Sequence, residues 1–332
     1  MGERNHHRPS STQFKFRKSG FRLERSSTGV TLDGAVEEYL VHLRAAGRAS
    51  ATLESYSRSL RLLGQALEVA GTRTINSAVL ERAVARIART PGLTGGPPSE
   101  ATMNRHRSAY RGFFNWAFQT GRLSENPAVL LHLARVDSPP TRPITPQETG
   151  YLLATIRQSS DPLRLRDEAL FATYALTGVR RSEALRLTAA DYDPDKGTLR
   201  VKSGKGRRGR TMPVPVELAH LLGRLCFELV STNAQFEGEF FPGAVPGHAL
   251  TARQAHARFQ HWKTLAGLRP ELSIHSFRAG FATTLYRGTR DVVLVSRALG
   301  HRDLRQTLRY IEPFPEKLRH AVQRCFAGVM SD

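Results

Sequence analysis

Ten residues near the middle of this chain, Asp137-Ser-Pro-Pro-Thr-Arg-Pro-Ile-Thr-Pro146, contain four prolines. Proline fixes φ and has no N–H to give, so this stretch can be neither a helix interior nor a central strand. It reads as a linker. It divides the 332 residues into two parts, each long enough to bury a core. We expect the linker at residues 136–146, one domain over 31–135, and a second over 147–332 that starts near Thr145 or Gln147. Residues 1–30 are basic and aperiodic. Arg4, Arg8, Lys15, Arg17, Lys18, Arg22 and Arg25 outnumber Glu3 and Glu24 there, and the segment reads as a flexible tail.

The first domain reads as helical. Leu32, Val36, Tyr39, Leu40 and Leu43 recur at three- and four-residue spacing, with Thr31 or Asp33 as cap and Gly47 as stop. Ser50 caps a second helix carrying Leu53, Tyr56, Leu60 and Leu63. Pro91 to Ser99 is a proline- and glycine-rich loop. The spacing predicts a third helix from about Ser99 to Gly121, with Tyr110, Phe113, Phe114, Ala117 and Phe118 as its buried stripe. Asn104, Arg105, Arg107, Ser108 and Arg111 lie mostly off that stripe, on a polar face that suits either a DNA groove or plain solvent. In the second domain, Thr198 to Lys202 and Arg210 to Val214 alternate around a glycine-rich basic turn, the pattern of a β-hairpin. Helices are expected from about Glu217, after Phe240 to Gly247, and from His275 onward. The expected class is mainly α with a small β-sheet.

Charge narrows the function. Forty-nine Lys and Arg against 29 Asp and Glu give a net charge of +20, which implies a polyanionic partner, most simply nucleic acid. An anionic membrane surface is the weaker rival, because no long apolar run or basic amphipathic helix accompanies the charge. A generally adhesive basic protein is the bland alternative. Cys226 and Cys325 are the only cysteines, and no Cys/His cluster has zinc spacing, so no metal is expected. The N-terminus lacks the apolar segment of a signal peptide, and a reducing cytoplasm beside the nucleoid fits.

The chemistry lies in the second domain, in a fixed order of polar residues. Arg180 follows Thr177-Gly178 at an expected helix start, where free N–H groups already favour anions, and Glu183 is one turn away to orient it. Lys205 stands in Ser203-Gly204-Lys205-Gly206 at the hairpin turn, placed to donate a proton to a leaving oxygen; Lys202 competes for that role. Arg207, Arg208 and Arg210 look like phosphate contacts. His275 and Arg278 are three apart and share a helix face. His301 follows Gly300, Asp303 is a good cap, and Tyr310 comes nine residues after His301. Nine residues at about 100° each put His301 and Tyr310 on opposite faces of a straight helix, so they meet only if the segment bends or if Tyr310 acts in a neighbouring protomer. Two arginines, a lysine and two histidines suit a phosphorane, and a tyrosine supplies an oxygen nucleophile.

These segments resemble the tyrosine recombinase family of phage-integrase and Xer type. Thr177-Gly-Val-Arg-Arg-Ser-Glu183, Gly204-Lys-Gly206, His275-Ser-Phe-Arg278, Leu299-Gly-His301 and Thr307-x-x-Tyr310 are similar to its catalytic boxes. Glu38-Tyr-Leu40, Ser50-Ala-Thr-Leu53 and Asn126-Pro127 are similar to its core-binding domain. The resemblance implies a two-domain clamp on duplex DNA: a helical, SAM-like core-binding domain over 31–135 and an α+β catalytic domain over 147–332. It implies strand exchange through a 3′-phosphotyrosyl link at Tyr310. Lys205 would be the general acid, Arg180, Arg278 and His301 the charge stabilisers, and His275 the proton-transfer partner. Neither ATP, metal nor another cofactor is implied. It also implies a homo-oligomer, a tetramer on two sites, with a second recombinase or accessory protein as a further partner. The tail looks too short for an arm-binding domain, and the Arg278 to His301 spacing leaves no room for an integron-type insertion. An apolar stripe of Leu318, Val322, Cys325, Phe326 and Val329 reads as a terminal helix that docks on its own chain or on the next. The rival functions are a DNA-binding regulator without chemistry and a type IB topoisomerase or telomere resolvase.

Overall fold

The structure is a computed structural model. It describes residues 31–68, 75–91, 95–136, 141–202, 209–232, 238–243, 245, 247–301, 303–308 and 310. The basic tail, the hairpin turn with Lys205, Arg207 and Arg208, and the terminal apolar stripe lie outside the described residues. The chain forms two compact units, residues 1–138 and 139–332.

Among the described residues the first unit packs four helices, α1 (Leu32–Ala45), α2 (Ser50–Glu68), α3 (Ser77–Arg89) and α4 (Glu100–Gln119). Thr31 caps α1 by accepting the Gly34 N–H, and Ser99 caps α4 by accepting that of Thr102. Leu32, Val36 and Tyr39 of α1 meet Leu60, Leu63 and Leu67 of α2 and Tyr110, Phe113 and Phe114 of α4 in one core. Helix α3 escaped the sequence reading. Its signals are present, an Asn76 cap and Val79, Leu80, Ala83, Val84 and Ile87 at helical spacing, and all five apolar residues are buried. The α4 stripe also needs one correction: Phe118 is 46% exposed, and Trp116 is buried instead. At about 100° per residue Phe118 falls past one edge of a stripe centred between Phe113 and Ala117, whereas Trp116 falls at the other edge, where Tyr39 covers it.

The second unit is mainly helical around a large core with Phe171, Tyr174, Phe259, Trp262 and Phe277 at its centre. Thr145 begins it with a capping box, and Pro146 takes the first position of α5 (Pro146–Gln158), where no N–H is needed. Helix α6 (Arg164–Thr177) runs through the core and stops at Gly178, whose φ of 60° permits the left-handed turn. A four-residue helix, α7 (Arg181–Ala184), follows. Three short antiparallel strands come next: β1 (Tyr192–Asp193), β2 (Thr198–Val201) and β3 (Arg210–Pro213), in that order across the sheet. The hairpin alternates as its sequence predicts, with Leu199, Val201 and Met212 buried; β1 is an added edge strand too short to carry a pattern. Helices α8 (Val216–Thr232), α9 (Ala252–Leu265), α10 (Ile274–Thr289), α11 (Val292–Leu299) and α12 (Arg305–Leu308) follow among the described residues.

Beneath this core lies a buried ionic knot. Asp167, fully buried, accepts hydrogen bonds from Arg166, Arg258 and the Trp262 indole at 2.8 Å, so α6 and α9 are joined by charge as well as by packing.

Candidate active site

The site forms where α6, α10 and α11 end or begin close together. Helix α11 stops at Gly300, again left-handed, and its last carbonyls have no helical partner. Three successive ones are each taken by a different arginine. Arg210 Nε donates to Ala298 O at 2.8 Å, Arg278 Nη2 to Leu299 O at 2.7 Å, and Arg180 Nη2 to Gly300 O at 3.3 Å. Arg278, buried, also donates through Nη1 to Gly178 O at 2.7 Å, which ties the end of α6 to the end of α11. Glu183 balances the cluster. It accepts from Arg180 Nη1 at 2.7 Å, from the Arg180 backbone N–H at 2.9 Å, and from Arg210 Nη2 at 3.0 Å.

Sequence reasoning placed Arg210 among the outward phosphate contacts. The structure turns it inward as a brace of Glu183 and α11. The signal was in the alternation: Arg210 shares a strand face with buried Met212 and pairs across the sheet with buried Val201. Lys202, the rival of Lys205, forms a salt bridge to buried Asp191 at 2.9 Å.

The path from His301 to Tyr310 takes the bent route. After Gly300 the chain turns, Asp303 Oδ1 accepts the Arg305 N–H at 2.9 Å, and α12 lasts one turn. Tyr310 N then donates to Thr307 O at 3.0 Å. The His301 and Tyr310 rings stack with centroids 6.2 Å apart. Tyr310 Oη lies 3.1 Å from His275 Nε2 of its own chain. The phenol ring packs on a small cluster of Ala282, Val295 and Leu299, so its body is held while its oxygen faces the site.

Electrostatics follow from three guanidinium groups and one carboxylate. Burial works to raise the Glu183 pKa, but the hydrogen bonds from Arg210 and Arg180 outweigh it and hold the carboxyl at about 2. Burial, then the Arg180 charge, lowers Arg278 to about 10, which leaves it protonated at neutral pH. His301 is lowered to about 4, first by burial and then by Arg278, Arg180 and Arg210. His275 is lowered by desolvation and by Arg278 and Arg180. Both imidazoles are therefore neutral near pH 7, in a pocket of positive potential that an anion would relieve.

The proposed groove residues on α4 separate into two kinds. Arg105 and Arg111 are exposed. Asn104 instead clasps the chain after the helix: its Nδ2 donates to Ala134 O at 2.7 Å and its Oδ1 accepts the Ala134 N–H at 2.9 Å. Arg107 is bound to Glu100 at 2.8 Å and to Asn104 at 3.0 Å. An amide clasp of this range, 30 residues apart in sequence, leaves no local pattern to read.

Comparison with known proteins identifies the family. Residues 142–317 match the phage integrase family, and residues 36–121 match the phage integrase N-terminal SAM-like domain. The chain is 30% identical over 280 residues to tyrosine recombinase XerC of Chromobacterium violaceum, covering 84% of this chain and 90% of the relative. It is 29% identical to tyrosine recombinase XerD of Ralstonia nicotianae, covering 82% and 87%. Among solved structures, the XerH site-specific recombinase in a post-cleavage complex with a palindromic difH substrate aligns with a TM-score of 0.68 at 24% identity, over 88% of this chain and 84% of that one. A lambda integrase dimer bound to a COC′ core site aligns at 0.65 and 18%, over 85% and 77%. A mostly helical fold with a small sheet, the ordered site residues and the family match over more than half of its length converge on one statement: the chain belongs to the phage integrase family of tyrosine recombinases.

Proposed function

We propose that this chain carries out its site-specific recombination through a covalent 3′-phosphotyrosyl intermediate at Tyr310. The observation that carries the reading is the 3.1 Å approach of Tyr310 Oη to a neutral His275 Nε2, beside three clustered arginines. The phenol proton passes to His275 as Oη attacks the scissile phosphorus. The bond from phosphorus to the 5′-oxygen breaks, and Lys205 protonates that oxygen as it leaves. Arg180 and Arg278 each spend two N–H groups on the scaffold and keep the rest of their five donors for the non-bridging oxygens. One of three arginine charges is matched by Glu183, which leaves an excess suited to a phosphorane dianion. Attack by a 5′-hydroxyl of the partner strand reverses the step, so one phosphodiester is exchanged for another without ATP.

In this reading residues 31–135 are the core-binding domain and 147–332 the catalytic domain, and the end of the expected 136–146 linker, from Ile144 to Pro146, packs with the catalytic domain. Double-stranded DNA is the substrate, and Arg105, Arg111, Arg207 and Arg208 contact it. The working assembly is a tetramer on two sites, in the cytoplasm at the nucleoid, with a second recombinase or accessory protein as partner. A regulator without chemistry has no use for the Tyr310–His275 pair. A topoisomerase or telomere resolvase would not join two sites.

The test uses nicked suicide duplexes from the DNA flanking the gene, without metal or ATP. The expected result is an SDS-stable adduct that Tyr310→Phe abolishes. An adduct that survives in the variant overturns the assignment; bound DNA with no adduct points to a binding protein or to a recombinase silent without its partner.

A further inference from the structure

His301 Nδ1 lies 2.7 Å from the Thr307 hydroxyl, and Thr307 is fully buried. Either atom can donate, and the choice decides what the other ring nitrogen does. The chain itself supplies the argument. Thr155, Thr173, Thr177, Thr264 and Thr289 all sit on helices and all donate their hydroxyls to the carbonyl four residues back, at 2.6 to 3.0 Å. Thr307 is helical too, yet among the described residues its hydroxyl bonds to His301 alone. If Nδ1 carried the proton, the buried hydroxyl hydrogen would have no acceptor among the described residues, an arrangement folded proteins avoid.

We infer that Thr307 donates to His301 Nδ1 and so fixes the tautomer in which Nε2 carries the hydrogen and donates to the scissile phosphate. Thr307 is a positioning residue, and it holds two partners at once: His301 through its side chain and the Tyr310 N–H through its carbonyl at 3.0 Å. A neutral histidine in the opposite tautomer would present a lone pair to an anion and repel it. The inference rests on the reading that His301 faces the phosphate.

The first test needs no variant of Thr307 and no turnover. Histidine ring 15N spectra of the full-length protein at pH 7, with His301 assigned by loss of its signals in His301→Gln, report each nitrogen directly. An acceptor-type Nδ1 with a protonated Nε2 is expected; a protonated Nδ1 overturns the inference and leaves the phosphotyrosyl reading untouched. The second test is single-turnover cleavage of a suicide duplex. Thr307→Val is expected to slow cleavage about tenfold to a hundredfold, and Thr307→Ser, which keeps the hydroxyl, to stay within about threefold of the parent. Equal rates for Thr307→Val and the parent, or a serine variant as slow as valine, overturn it.

Discussion

Gly178, the cap of α6, and Gly267, just past the cap of α9, share a left-handed φ of 60° and 62° in very different surroundings. A Cβ on Gly267 would meet nothing within 4 Å. A Cβ on Gly178 would lie 2.7 Å from Phe281 Cγ and closer still to Cδ1. Alanine at either position bears the left-handed strain, about 1–2 kcal/mol. At Gly178 it must also displace a packed ring, an overpacking cost of about 1–3 kcal/mol. The expected losses are therefore about 1–2 kcal/mol for Gly267→Ala and about 2–5 kcal/mol for Gly178→Ala. Trp116 and Trp262 are the two tryptophans, one in each unit. Urea unfolding followed by Trp262 fluorescence in a Trp116→Phe background reads the second unit alone. Because Gly178 O holds Arg278, Gly178→Ala should also slow DNA cleavage, while Gly267→Ala leaves the rate unchanged. Equal stability losses would refute the clash argument, and no loss at Gly267 would refute the strain argument.

Three further outcomes are expected. His301 has a folded pKa of about 4 against 6.5 for the free ring, so the unfolded state takes up its proton first as pH falls. His301's share of the second unit's stability should be constant above pH 7 and decline between about 6.5 and 4, by at most about 3 kcal/mol; the lowered His275 adds a decline of the same sign, so His301→Gln should reduce the slope in urea titrations across pH without abolishing it. Asn104→Ala should cost the first unit about 1–2 kcal/mol by calorimetry while leaving the salt dependence of DNA binding unchanged, whereas Arg105→Ala and Arg111→Ala should each lower the salt slope by about one. Trp262→Phe removes a hydrogen bond to a buried carboxylate and should cost about 2–3 kcal/mol in urea unfolding with little change in DNA affinity.

Local patterns carried much of the fold to the reader of the sequence. The Thr31 cap, the stop at Gly47, the helix start near Ser99 and the alternation at Leu199, Val201 and Met212 each act within a few residues, so spacing exposes them. Helix α3 had comparable signals and was overlooked among flanking polar residues. The site was legible as a list of side chains in order. Its assembly was not. The inward turn of Arg210 depends on strand register, and the clasp of Asn104 on a carbonyl 30 residues away. The meeting of Tyr310 with His275 depends on a corner whose angle no periodicity encodes.

The row of carbonyls at Ala298, Leu299 and Gly300 is made of main-chain atoms, and no point substitution deletes an oxygen from it. Side chains at Ala298 and Leu299 can drift in evolution, as far as packing allows, without loosening a guanidinium; Gly300 is the exception, since a Cβ on its left-handed backbone would lie 3.1 Å from Arg210 Nη1. Length is another matter. One residue inserted or lost at the end of α11 would swing the row by about 100° and unseat three arginines together. The site is thus tolerant of spelling and intolerant of counting. Moving this chemistry onto another scaffold would mean transplanting a turn of backbone first and the arginines second.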